Sequence, residues 1–288
     1  GLVHSHPVWV VRAFRRALAA EGRADELEAL LTADNASPRV TMTALPGLAD
    51  RPEGARATPF SPIGFRLGGG DPDRVVRSAG GRLRVQDEGS QLAALALTRV
   101  LPVQEGERWL DLCAGPGGKT AVLAAEALAG GARVEANEVS PSRAGLVRQA
   151  LAGVPLEVPV SEEDGRVRAA AAPAQYDRIL VDAPCTGLGA LRRRPEARWR
   201  KSPADIPTLT DLQRELLLAA VTALKPGGVV AYVTCSPHLA ETAGVVAEVK
   251  RELGGSIEDL DARRVVTALS SSDPGLVPQA DGSGRAQL

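Results

Sequence analysis

The sequence is short of cysteine and lysine, has no long apolar run, and carries almost no net charge. Three cysteines in 288 residues, an odd and sparse set, cannot build a disulfide scaffold and point to a reducing, cytoplasmic setting. No apolar stretch approaches the roughly 18–20 residues of a membrane-spanning helix, and no signal-peptide pattern opens the chain, so no membrane partner is expected. A net charge of −1, from 34 basic and 35 acidic residues, argues on its face against a nucleic-acid partner. Only four basic residues are lysines (Lys119, Lys201, Lys225 and Lys250), so arginine carries the positive charge. With 44% apolar and 24% charged residues the chain is an ordinary globular one, long enough for one large or two modest domains.

Residues 1–84 read as a small mixed unit. Residues 8–20 and 24–33 space their apolar positions as helices, with Arg12, Arg15 and Arg16 on the polar side. Residues 38–45 alternate like a strand, and the Pro/Gly-rich stretch 46–81 reads as loops around short strands. No chemistry stands out in this unit, which reads as a packing or RNA-positioning accessory domain. From residue 85 strands alternate with helices: helices at 91–100, 119–129, 141–151, 209–224 and 240–253, and strands at 108–112, 133–136, 176–182 and 229–235. Ser140 and Pro141 form a helix start, and Lys225-Pro226-Gly227-Gly228 a helix stop. The alternation predicts an α/β fold with a doubly wound parallel sheet over residues 85–288, its Gly/Ser/Asp-rich tail from about 254 loosely ordered.

The turn after the first strand of this unit is Asp111-Leu112-Cys113-Ala114-Gly115-Pro116-Gly117-Gly118-Lys119-Thr120. A phosphate-binding loop would need glycine at Cys113, and a dinucleotide fingerprint would need glycine at Thr120, so both fail by one residue. A strand ending in an acid and followed by Gly-x-Gly-Gly suits S-adenosylmethionine, whose amino-acid part needs backbone room and presents no phosphate. Glu138, 23 residues beyond Gly115, stands where a second acid would take the ribose hydroxyls.

Two cysteines close strands at the sheet's C-terminal edge, where open α/β folds bind ligands: Cys185 in Asp182-Ala183-Pro184-Cys185, and Cys235 in Thr234-Cys235-Ser236. Carbon 5 of a pyrimidine is not nucleophilic until a thiolate adds to carbon 6; a base then removes the carbon-5 proton and the thiol leaves. One cysteine suits addition and a second can assist release. The residues alone leave open which thiol attacks.

These stretches, with Val85-Gln86-Asp87-Glu88-Gly89-Ser90-Gln91 and Asn137–Arg143, resemble the RsmB/Sun (Fmu) family of RNA cytosine-C5 methyltransferases, and His6-Pro7-Val8-Trp9 resembles the start of that family's RRM-like domain. The resemblance implies a Rossmann-like methyltransferase domain after a small α+β domain, and S-adenosylmethionine as cofactor. It implies Cys235 as nucleophile and Cys185 as the residue assisting release, with Lys119 and Asp182 near the target base. Cys113, Ala114, Gly115, Pro116, Gly117, Gly118, Lys119, Glu138, Asp164 and Asp182 would line the cofactor site, Asp164 near the adenine. Cys113 would serve a structural role, and Arg143 either orients Glu138 or is a solvated helix residue. No metal is expected. The family's helical NusB-like domain and terminal strand find no match between Gly1 and Leu288, which predicts a fragment of a longer enzyme, with a monomer as the default state.

Residues 192–201 (RRRPEARWRK) hold six basic residues and one acid, +5 in ten positions. Such a run is a solvated face or, beside this site, an RNA-binding loop in which Arg192, Arg193, Arg194, Arg198 and Arg200 meet phosphates and Trp199 stacks on a base. A target base would be single-stranded or flipped. Small-subunit rRNA is the expected substrate; tRNA, or a non-catalytic RNA-binding role in ribosome assembly, are the alternatives.

Overall fold

A computed structural model describes residues 3–277 and 284–286. Helices α1 (Val8–Ala20) and α2 (Leu27–Ala33) open the chain. Val10, Ala13, Phe14, Ala17 and Leu18 form the buried stripe of α1 and leave Arg12, Arg15 and Arg16 exposed. Val10, Phe14 and Leu31 pack against Leu188 and Leu191, so these helices rest on the segment that follows Cys185.

Strands β1 (Met42–Ala44), β2 (Arg56–Ala57), β3 (Gly64–Arg66) and β4 (Leu83–Val85) form an antiparallel sheet in the order β2-β3-β1-β4. Helix α3 (Pro72–Ser78) joins β3 to β4 inside the stretch expected to be loop. Its start is well marked, since the Asp71 side chain accepts from Asp73 N and Pro72 fills the first turn. Helix α4 (Glu88–Arg99) ties this sheet to the rest of the molecule through Gln91. That fully buried amide donates to the Met42 and Gln86 carbonyls and accepts from the Ser61 hydroxyl.

The larger sheet follows the expected alternation: β5 (Arg108–Asp111), α5 (Gly118–Gly130), β6 (Arg133–Asn137), α6 (Pro141–Leu151), β7 (Val160–Ser161), α7 (Gly165–Ala170), β8 (Tyr176–Asp182), α8 (Ala197–Arg200), α9 (Asp205–Ala223), β9 (Leu224–Val233), α10 (Ala243–Glu252) and α11 (Ala262–Leu269). All five strands are parallel, in the order β7-β6-β5-β8-β9. The chain reverses its direction of travel across the sheet between β5 and β8. That switch point opens a crevice at the strands' C-terminal ends. Trp109, Leu110, Ile179, Leu180 and Val181 are fully buried, as strands covered by helices on both faces require. Arg178, although charged, is buried as well. It pairs with Glu107, lies over the Trp109 ring, and donates to the carbonyls of Leu97, Thr98, Leu101 and Pro102, which closes the C-terminal end of α4.

Among the boundaries that differ from the sequence reading, two matter most. Helix α9 ends at Ala223 and β9 begins at once, absorbing the Pro-Gly-Gly segment as a register irregularity opposite Tyr176 and Arg178. The tail beyond Gly254 is not uniformly loose: Asp261 caps α11 by accepting from Arg263 N and Arg264 N, Val266 is buried, and Ser271 N donates to Phe60 O. The ends on which the fragment expectation rests, residues 1–2, 278–283 and 287–288, lie outside the described residues.

Candidate active site

The glycine turn connects β5 to α5 and is clamped from both sides. Gly117 caps α5 at φ +100°, and a Cβ there would lie 2.5 Å from the Ala150 Cβ and 2.8 Å from the Val147 Cα, so only glycine lets α6 pack this close. The Gly115 peptide is held by two of the expected residues. Its N–H donates to Glu138 Oε2 at 3.0 Å, and its carbonyl accepts from Arg143 Nη2 at 2.5 Å. Glu138 Oε1 also accepts from Ser140 N, and Arg143 stands 3.5 Å from Glu138, so Arg143 sits on the site rather than in solvent alone. Beneath the turn Asp111 is fully buried, accepts from the Thr120 hydroxyl at 2.7 Å, and is pushed up to about 7, chiefly by desolvation.

Asp164 stands at the N-terminus of α7, on the crevice wall, where it accepts from Arg166 N and pairs with the Arg166 side chain. Arg166 holds its carboxyl below the ordinary range. Cys113 also lines the crevice; burial, then the acids Asp111, Asp182 and Glu138, raise its pKa and keep it a thiol.

Lys119, from the first turn of α5, donates to Asp182 Oδ2 at the end of β8 at 2.7 Å. Because β8 and β9 are paired neighbours, the two loops leaving them bring Cys185 and Cys235 together, Sγ to Sγ 3.3 Å. The thiols are unequal. Cys235 is exposed and is lowered to about 7, first by the hydrogen bond from Cys185, with Lys119 and Arg194 adding to it against burial and Asp182. Cys185 is driven up by the same hydrogen bond, by burial and by the charge of Glu241. The pair therefore sets a more readily ionised Cys235 beside a Cys185 that favours its protonated form.

The basic segment divides in a way the sequence did not show. Arg193, Arg194, Arg200 and Lys201 line the crevice, and Trp199 is 64% exposed without lining it. Arg193 also pairs with Asp87 at 3.5 Å, whereas Arg192 donates to the carbonyls of Ala36 and Ser37. Arg198, expected to face RNA, is buried: it donates to Ser5 O, to Asn35 Oδ1 at 2.8 Å and to Asp34 O. It fastens α8 to the N-terminal helices and is not an RNA contact. Arg198→Ala leaves those acceptors unpartnered and is expected to cost about 2–3 kcal/mol in a denaturant titration, whereas Arg200→Ala should stay within about 0.5 kcal/mol.

Sequence reasoning missed three other side chains around the crevice. Gln86 lines it, with both amide atoms buried and unpartnered; Gln213 and Glu241 lie fully buried behind the cysteine loops. Gln86 stood within a quoted motif, but nothing in its neighbours marked it as a site group. Glu241 falls within the helix expected at 240–253 and was not singled out.

The family description "16S rRNA methyltransferase RsmB/F" matches residues 98–263, a span that holds the glycine turn, Glu138, Lys119–Asp182 and both cysteine loops. The chain belongs to the RsmB/F family. Among relatives, "Putative methyltransferase Rv1407" of Mycobacterium tuberculosis is 53% identical over 254 residues, covering 86% of this chain and 54% of that protein. "Ribosomal RNA small subunit methyltransferase B" of Erwinia tasmaniensis is 40% identical over 157 residues, covering 54% of this chain and 35% of its own length. The chain thus spans about half, or less, of these relatives. Among solved structures, PH0851 superposes with a TM-score of 0.75 at 27% identity, covering 86% of this chain and 57% of that one. NSun6 from Pyrococcus horikoshii, solved with SFG, gives 0.55 at 27% identity over 65% of this chain and 46% of its own. The expected Rossmann-like methyltransferase fold and RsmB/Sun membership both hold. No helix among the described residues is long and apolar enough to cross a membrane.

Proposed function

We propose that this chain methylates carbon 5 of a cytosine in RNA, with small-subunit rRNA as the substrate and S-adenosylmethionine as the methyl donor. The observation that carries this reading is the thiol pair. Two cysteines 3.3 Å apart, one lowered and one raised in pKa, stand at the ends of β8 and β9, and the Lys119–Asp182 pair is at the same strand ends. Amine methylation needs no thiol; pyrimidine carbon 5 does.

The crevice suits the cofactor. Gly115, Pro116, Glu138 and Asp164 line it, Glu138 would meet the ribose hydroxyls and Asp164 the adenine, and the buried, unpartnered Gln86 amide supports a polar ligand there. The donor, held by residues 113–119 with these acids, supplies an electrophilic methyl group. The chain's own residues do the rest. The Cys235 thiolate adds to carbon 6, which moves an electron pair to carbon 5 and makes that atom nucleophilic. Lys119 and Asp182 offer one donor and one acceptor to the polar edge of the base. Once carbon 5 is methylated, a base takes its proton, the C–H electron pair re-forms the ring double bond, and Cys235 leaves with assistance from Cys185. Arg194, Arg200 and Lys201 would draw the phosphates, and Trp199 offers a face for stacking.

Bisulfite sequencing of rRNA and tRNA from a strain lacking the gene should show one 5-methylcytosine lost from small-subunit rRNA. Loss from tRNA alone would move the substrate. No loss in either, with no S-adenosylmethionine binding by calorimetry at millimolar cofactor, would replace the enzyme with a non-catalytic RNA-binding factor.

A further inference from the structure

Behind the two cysteines lies a carboxylate that the chemistry above does not use. Glu241 is fully buried, and among the described residues it makes no ion pair. Its four hydrogen-bonding neighbours are all donors. Oε1 accepts from Thr186 N at 2.8 Å and from Gln213 Nε2 at 3.2 Å; Oε2 accepts from the Thr186 hydroxyl at 2.5 Å and the Ser236 hydroxyl at 2.6 Å. The Ser236 oxygen itself accepts from His238 N, which leaves its own hydrogen for Glu241.

These donors are not scattered. Thr186 follows Cys185, and Ser236 follows Cys235. Gln213 of α9 also donates to the carbonyl of Pro184, which precedes Cys185. One carboxylate thus gathers both thiol-bearing loops and the helix beneath them. The local sequence brings it there: after Ser236-Pro237 the chain makes a single tight turn, Leu239–Glu241, with Glu241 N donating to His238 O and the Tyr232 hydroxyl donating to Glu241 O. A buried, unpaired carboxylate is costly to keep, and an apolar side chain would fill the space at lower cost; its return lies in the arrangement it imposes.

We infer that Glu241 is a positioning residue that holds the Cys185 and Cys235 loops in register and so sets the thiol–thiol separation on which addition and release depend. The dependence of addition and release rests on the function proposed above; the geometric role does not. The charged groups facing the pair are Asp182, Lys119 and Arg194 toward Cys235, and Glu241 toward Cys185, with the Tyr232 hydroxyl nearby. The negative charge of Glu241 favours the protonated form of Cys185, the form that donates to Cys235.

Glu241→Gln tests this, because one acceptor oxygen becomes an NH2 group facing donors on either side. In the folded variant, the pH midpoint for iodoacetamide alkylation of Cys235 should rise by about one unit as Cys185 ceases to be held against it. Diamide-driven formation of the Cys185–Cys235 disulfide should slow roughly tenfold, and kcat for RNA should fall roughly 100-fold. S-adenosylmethionine affinity should stay within about twofold, since Glu241 touches none of residues 113–119. Ser236→Ala, which removes one of the four donors, should move the same readouts in the same direction by less, and it serves if Glu241→Gln does not fold. An alkylation midpoint and a disulfide rate matching wild type, in whichever of these variants folds, would overturn the inference. Shifted thiol readouts in a protein that methylates no cytosine would instead refute the proposed function and leave the positioning role standing.

Discussion

Cys235→Ala is expected to lower methyl transfer to RNA by at least about 1,000-fold, because the residue to be lost is the nucleophile of the proposed reaction. Without a thiolate at carbon 6, carbon 5 has no electron pair to offer, and neither the glycine turn nor the Lys119–Asp182 pair can supply one. Cofactor binding should survive, since no bond from Cys235 reaches residues 113–119. Cys185→Ala should fail differently. On the proposed mechanism Cys235 can still add, but the residue assigned to assist its departure is gone, so a protein–RNA adduct resistant to denaturing electrophoresis should accumulate. Tritium from labelled donor should be found in that adduct. Turnover unchanged in Cys235→Ala would overturn the assignment, and an adduct in Cys235→Ala with none in Cys185→Ala would exchange the two roles.

The sequence reading went furthest where local chemistry and local structure agree. Strand β8 and helix α6 were placed at their observed ends because a continuous apolar run marks the first, and Ser140-Pro141 marks the start of the second. The shorter elements α3, α7, α11 and β7 were lost because each is too short for a hydrophobic period to show, even where a local cap marks the start, as Asp71 does for α3 and Asp261 for α11. Strand β7 has two residues, and it is the Asn137 amide at the end of β6 that secures it, donating to Glu163 O and accepting from the Ser161 hydroxyl and Glu163 N. At the site, the glycine turn and the two cysteines were legible as strand ends, since paired strands β8 and β9 bring the loops that carry both cysteines together. Burial was not legible. Arg198 sits in the most basic stretch of the chain, yet its partner Asn35 lies 163 residues away, and no local pattern reveals that contact. Glu241 escaped for a similar reason: Thr186 is 55 residues distant, and an acid at a helix start ordinarily needs no explanation beyond the helix dipole. The net charge of −1 likewise averaged away a crevice lining that includes Arg193, Arg194, Arg200 and Lys201.

Alkylation of Cys235 by iodoacetamide in the cofactor-free protein should follow a single titration with a midpoint near 7. The thiolate is the reactive form, so a lowered pKa makes the thiol reactive at neutral pH. The rate should fall about tenfold for each pH unit well below the midpoint and level off above about pH 8. Peptide mapping must assign the adduct, because Cys113 and Cys185 are also free thiols, both held protonated. The largest single cause of the lowered value is the hydrogen bond from Cys185, with Lys119 and Arg194 behind it. Cys185→Ala should therefore move the midpoint up toward the ordinary thiol value near 8.5 and slow alkylation at pH 7 by roughly tenfold or more. Lys119→Met should move it up by a smaller step, since an attractive charge is lost while the neighbouring thiol remains. The adduct assay for Cys185→Ala then belongs at pH 8.5 or above, where the weakened nucleophile is still ionised and slow release, rather than slow addition, controls what accumulates. An unshifted midpoint in Cys185→Ala would mean that the thiol–thiol hydrogen bond does not tune the nucleophile, leaving the two nearby cations as its source.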